Sequence, residues 1–309
     1  MGAGEVASAS WRWAEGHPRV ALSFALPSPQ WFSGIISFDG SWERQTYSVA
    51  PSSGDATILA ETRRRVGLHV TDWSTSWLRW QTGASLDRLR EYDDVDPARF
   101  NARDYLAVDG TIDVRLASDR LALQASADWW TPFAGGDRFG TGAALAAWRS
   151  TADATRPFWF ATTEITVASA VAPLALWNGA GTGRGRGLLL RAHPLLSNGL
   201  LTGEVFGRKV LHGSFEYVQP VGLMPASGLA VAAFVDAARA SRRLNGLDPS
   251  PLYVDVGVGV RLRAPGLGGV RIDLAHGLRG ALRPAQGAPG SSRGGGFTLS
   301  ASFGSVWPR

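Results

Sequence analysis

Apolar and polar side chains alternate along most of this chain, and the clearest run lies near its end. Leu252, Val254, Val256, Val258, Val260 and Leu262 hold the even positions, with Tyr253, Asp255, Gly257, Gly259 and Arg261 between them. Val270, Ile272 and Leu274 repeat the rule against Arg271 and Asp273. Phe297, Leu299, Ala301 and Phe303 set it against Thr298, Ser300 and Ser302. Side chains on a strand point alternately to opposite faces, so each segment predicts a strand with one greasy and one wet face. Further segments of this kind centre on Val20–Leu26, Val66–Val70, Ile112–Leu116, Leu121–Ala125, Ile165–Val167 and Leu211–Tyr217. Ala117–Arg120, between two of them, predicts a tight hairpin. The count comes to about fifteen strands, Ser8–Ala14 and Asn101–Val108 being the least regular.

An aqueous sandwich would alternate too. Here the wet faces carry many small residues and charges, and the links are of two kinds. Some are short, as at Ala117–Arg120, and others are long and polar, as at Glu91–Phe100, Asn178–Gly187, Ala240–Pro251 and Arg283–Gly295. Outer-membrane barrels have this asymmetry, with tight periplasmic turns and long outer loops. The expected fold is all-β, a transmembrane antiparallel β-barrel spanning residues 18–309. Residues 1–17 are expected to be an N-terminal segment or a first strand. Met1–Ser10 lacks the basic start and apolar core of a secretory signal, so the expectation is a mature, excised or truncated beginning.

Composition sharpens this picture. No stretch approaches the roughly 18 uninterrupted apolar residues of a membrane helix, yet 45% of the chain is hydrophobic. A barrel crosses a bilayer without a hydropathy signal because alternate residues face the lumen. The 38 glycines suit a crowded lumen, and the 13 tryptophans suit the lipid–water boundary. Trp11 and Trp13, Trp73 and Trp77, and Trp129 and Trp130 all fall near expected strand ends, where a girdle would sit. The absence of cysteine excludes disulfides and thiolate metal sites. The net charge of +5 comes almost wholly from arginine. The arginines are scattered and form no compact basic patch of the kind nucleic acid needs.

Several patches in the last 125 or so residues resemble, in order, the surface-antigen barrel of the BamA/TamA superfamily. Arg186-Gly187-Leu188 is similar to that family's Arg-Gly-aromatic loop motif, with Leu where an aromatic is usual. Gly213-Ser214-Phe215-Glu216-Tyr217 resembles its Gly-Ser-Leu-Glu-Tyr strand. Phe234-Val235-Asp236-Ala237-Ala238 resembles its Phe-x-Asp-x-Gly strand, with Ala at the glycine. Asp255–Arg261, Val270–Ala275 and Leu299–Gly304 resemble the three strands that follow, and the front half matches only in general character.

The resemblance implies a sixteen-strand barrel in the bacterial outer membrane whose first and last strands meet at a weak seam. It implies an assembly or translocation factor that inserts or exports proteins, without enzyme activity, cofactor or metal. The implied partners are outer-membrane lipids, unfolded client proteins and periplasmic or lipoprotein helpers. A barrel-only relative acting as a passive pore or structural protein is the alternative, since no mixed α/β helper module is expected ahead of the first strands.

Alternation alone places Glu216, Phe234 and Asp236 on the wet face if Phe215, Tyr217, Val231 and Val235 face lipid. Two carboxylates in a narrow channel call for a cation. The resemblance points to Arg186, with Gly187, as an inward loop tether for both, and Arg184 competes for the role. Phe297, Leu299, Phe303 and Trp307 are expected to form the closing seam and the segment read by the insertion machinery. The five histidines are far apart and make no ligand pair, and no Gly-x-Ser-x-Gly elbow is present.

Overall fold

The structure is a computed structural model of the chain. It describes residues 5–12, 17–28, 33–49, 57–93, 100–153, 155–180, 190–193, 195–197, 200–201, 205–221, 228–242, 251–264, 268–278 and 297–304. Strands dominate it. The first nine are β1 (Val6–Arg12), β2 (Arg19–Pro27), β3 (Ile35–Val49), β4 (Thr57–Trp73), β5 (Leu78–Asp93), β6 (Phe100–Leu116), β7 (Leu121–Pro132), β8 (Phe139–Arg149) and β9 (Phe158–Ala168). A 3-10 turn at Leu174–Leu176 follows, with four two-residue strands: β10 (Asn178–Gly179), β11 (Leu196–Ser197), β12 (Leu200–Leu201) and β13 (Phe206–Gly207). The last five are β14 (Lys209–Pro220), β15 (Ala230–Ser241), β16 (Tyr253–Ala264), β17 (Gly268–Leu278) and β18 (Phe297–Gly304).

Fourteen of these strands pair in sequence order within one sheet, β1 through β9 and then β14 through β18, every neighbour antiparallel. Up-and-down order follows from short connections, since antiparallel strands can be joined by a tight turn. The links 74–77 and 117–120 and the strand ends that flank 265–267 all lie at one end of the sheet. The strand ends that flank 169–208, 242–252 and 279–296 lie at the other. The asymmetry is partial, since strand ends at the first end also flank the longer links 28–34, 150–157 and 221–229, and those at the second the short links 94–99 and 133–138.

Both faces are now visible. Outward side chains stay exposed although apolar: Val66, Leu86, Val108, Phe215, Val235 and Ile272 are all 42–67% accessible. A contiguous apolar surface of this kind marks a nonaqueous surrounding or a partner. Their strand neighbours point the other way and are buried, among them Asp87, Phe234, Asp236, Asp255 and Asp273. Among the described residues no helix is long and apolar enough to cross a membrane, which leaves strands untouched as a way across.

The inner face encloses the segment between β9 and β14. Leu200 and Leu201 pair in parallel with Thr46 and Tyr47 on β3. The same segment makes ion pairs with β14, β15, β16 and β17. Strands far apart in the sheet order therefore converge on one segment, so the sheet is curved around it. Leu176, Trp177, Leu190, Leu195, Val205 and Phe206 of this segment share an apolar core with Tyr47, Leu89, Tyr105, Trp130 and Phe139 of the wall.

The tryptophans divide. Trp73, Trp77 and Trp129 are 47–52% exposed near strand ends, as a girdle requires, and Trp11 is more exposed still. Trp130 is 2% exposed, and its indole N–H donates to the Asp87 carboxylate at 2.9 Å. It is a core residue, because neighbours on a strand cannot share a face. Trp13 lies outside the described residues.

Candidate functional site

The wet face of β14–β17 gathers the charges that alternation placed there. Glu216 on β14, Asp236 on β15, and Arg261, Arg271 and Asp273 on β16 and β17 all project inward. Register brings them together: Asp236 lies opposite Ser214 and Asp255, Gly259 opposite Asp273, and Arg261 opposite Arg271. Two like charges directly opposite would repel, so the carboxylates must interleave. Arg261 donates to Glu216 at 3.1 Å and to Asp273 at 2.6 Å. Arg271 donates to the other oxygen of Asp273 at 2.6 Å and to Glu216 at 3.4 Å.

The segment between β9 and β14 supplies the third cation. Arg191 donates to Glu216 at 3.0 Å and stands 3.1 Å from the carboxylate of Asp236 and 3.7 Å from that of Asp273. Its guanidinium stacks 3.5 Å from the centroid of the Phe234 ring, where the π face adds attraction. Burial pushes the Arg191 guanidinium below its ordinary value, while Asp236, Glu216 and Asp273 pull it up. An arginine stays charged through such opposing effects. Three arginines thus meet three carboxylates, with side chains of Arg191, Asp236 and Asp273 at most 3% exposed. Ser214 donates to the second oxygen of Asp236 at 2.6 Å.

A second anchor follows two residues later. The backbone N–H of Ala192 and the ring of His193 both reach Asp255, each at 2.5 Å. Glycine makes room for these contacts: a Cβ at Gly259 would fall on the Asp273 carboxylate and the Arg261 guanidinium, and one at Gly257 on the Phe234 ring. The opposite wall carries its own pairs. Arg63 holds Asp87 through two bonds of 2.9 and 3.0 Å, and His69 lies between Asp39 and Asp109 at 2.9 and 3.1 Å.

The structure brings Glu216, Phe234 and Asp236 together around one arginine. That arginine is Arg191. Arg184, Arg186 and Gly187 lie outside the described residues. Sequence reasoning passed over Arg191 because it has no glycine beside it, although a lone cation closing the run Leu188-Leu189-Leu190 is itself a signal of a buried partner. Arg261, Arg271 and Asp273 were visible as wet-face residues but not as partners, since their convergence depends on register. On the closing strand, Phe297 and Leu299 are 74% and 73% exposed. The backbone of Phe303 pairs with Val270, its side chain lies outside the description, and so does Trp307 altogether.

This antiparallel sheet curved around an anchored inner segment is similar in fold to solved structures of BamA and CdiB. BamA from Haemophilus ducreyi lacking POTRA domains 1-3 aligns with 97% of this chain at a TM-score of 0.65 and 10% identity. CdiB from Escherichia coli covers 94% at a TM-score of 0.61 and 12% identity, and CdiB from Acinetobacter baumannii covers 92% at 0.59 and 14%. The chain spans 64%, 53% and 49% of those three chains. No family model and no curated protein matches the sequence.

Proposed function

We propose that the chain forms a closed barrel in the bacterial outer membrane and acts there as an assembly or translocation factor, inserting or exporting client proteins. The observation that carries this reading is the inner segment held by Arg191 against Glu216, Asp236 and Asp273. A segment fixed inside the lumen narrows any passive path, and a device that must position a loop against its own wall needs such an anchor. Closure of β1 on β18, in the sixteen-strand manner the resemblance implies, belongs to this proposal; the described residues supply fourteen wall strands. A separable seam there would offer its edge to an incoming strand by β-augmentation. Phe297, Leu299, Phe303 and Trp307 would form that edge and its address. Clients, outer-membrane lipids and periplasmic or lipoprotein helpers are the partners this implies.

The pore reading survives on one feature. A cavity of about 680 Å³ opens at the short-link end, lined by Arg79, Asp113, Arg115 and Arg149 among others. The test is assisted insertion of a client barrel into vesicles carrying wild type, Arg191→Ala or Asp236→Ala. Removing one partner of a buried ion pair costs about 3–5 kcal/mol, so both variants should insert clients poorly while remaining folded. Normal insertion by both would remove the tether. A large wild-type conductance that Arg191→Ala leaves unchanged would favour the pore.

A further inference from the structure

The outer wall carries a row of side chains that the inner segment does not touch. Arg64 on β4 lies directly opposite Arg88 on β5, and Arg88 directly opposite Asp104 on β6. All three point outward, since their neighbours Arg63, Arg65 and Asp87 make the inner contacts. Like charges facing each other across a ladder destabilise it. The single carboxylate in the row does not cancel the pair: Arg88 and Asp104 are 3.5 Å apart with side chains 51% and 54% exposed, a surface contact of small worth.

The position of the row is informative. The next outward row towards the short links is Val66, Leu86 and Leu106, which are 67%, 55% and 40% exposed. Trp42 stands opposite Arg64 on β3, as tryptophan does where hydrocarbon gives way to water. Between the arginines and the apolar row lies a groove of about 420 Å³, lined by Arg64, Val66, Leu86, Arg88, Asp104 and Phe133. At the same end of the sheet, Lys209 and Arg239 are also exposed on the outer wall.

We propose that this groove seats a phosphate-bearing lipid from the leaflet nearest the long links, with its phosphate between Arg64 and Arg88 and an acyl chain along Val66, Leu86 and Phe133. Guanidinium groups match phosphate oxygens in fork geometry, and an anion between them removes their mutual repulsion. The apolar floor selects a lipid phosphate over inorganic phosphate. The inference rests on the membrane reading above.

The test is native mass spectrometry of the full chain in nonionic detergent with phosphatidic acid, with diacylglycerol as the phosphate-free counterpart. Wild type should retain phosphatidic acid and not diacylglycerol. Arg64→Gln with Arg88→Gln should lower retention about thirtyfold, each basic residue at an anionic surface contributing about fivefold. Arg64→Lys with Arg88→Lys should fall between the two, keeping charge but losing the fork. Arg120→Gln with Arg156→Gln, at the short-link end, should change nothing. An equal loss in that control, undiminished retention in the groove variant, or full displacement by millimolar inorganic phosphate would overturn the proposal. Failure of wild type to insert into vesicles would remove the membrane reading and this site together; insertion with undiminished retention by the variant would remove the site alone.

Discussion

Asp87 shows how one inward side chain is held. It accepts two bonds from Arg63 and a third from the Trp130 indole. Trp130→Phe keeps the ring in the core but deletes that third bond, at about 1–2 kcal/mol. Denaturant unfolding in micelles should show a lowered midpoint for Trp130→Phe and an unchanged one for Trp129→Phe on the outer wall. Equal shifts would mean that ring packing alone matters at both. Face parity made Glu216, Phe234 and Asp236 legible as inward residues without any structure. It could not yield Arg191, because the inner segment has no period: which of its side chains meets the carboxylates depends on its path through the lumen. Of the adjacent pair Trp129 and Trp130, only Trp129 fits the expected girdle, because strand parity turns Trp130 into the core.

Among the elements, the hairpin at Ala117–Arg120 was legible to the residue, but its backbone was not. Ala117, Ser118 and Asp119 all have positive φ, at 54°, 56° and 61°, where a Cβ crowds the chain. Ser118→Gly should therefore raise thermal stability in detergent by about 0.5–1 kcal/mol; a fall would show that the serine side chain holds the turn. Strand centres were well marked by alternation, and strand ends were not. β4 runs over 17 residues, Thr57–Trp73, where the sequence pattern marked only Val66–Val70. Near its outer end the pattern fails at Arg63-Arg64-Arg65, since both faces of the strand are polar once it leaves the apolar band. About 10 residues cross a bilayer, so in the proposed membrane setting β3 to β6 would project well past it.

For the molecule as a whole, the order and antiparallel sense of the sheet were legible because short links leave few alternatives. Closure was not, since it joins the two strands most distant in sequence. The absence of cysteine provides a clean background for testing it. Cysteine pairs placed along Ser8 and Ser10 on β1 and Ser300 and Ser302 on β18 should crosslink in one register on mild oxidation in membranes, seen as a shift in electrophoretic mobility. No crosslink anywhere in the scan would mean that the sheet stays open.

The inner segment is fastened by two unlike means. Towards β5–β8 it is embedded through apolar contacts, which have no preferred direction and permit small slides, while Leu200 and Leu201 hold it to β3 by backbone pairing. Towards β14–β17 it is fixed by ion pairs that demand one geometry. One side is a hinge and the other a latch. Cooling weakens the first, whereas salt reaches a buried ion pair little, so loss of one charged partner is what weakens the second. On the translocation reading, undoing the latch would release the segment from β16 and β17 while its other contacts hold, and the passage so opened would be a crescent along that wall instead of a central bore.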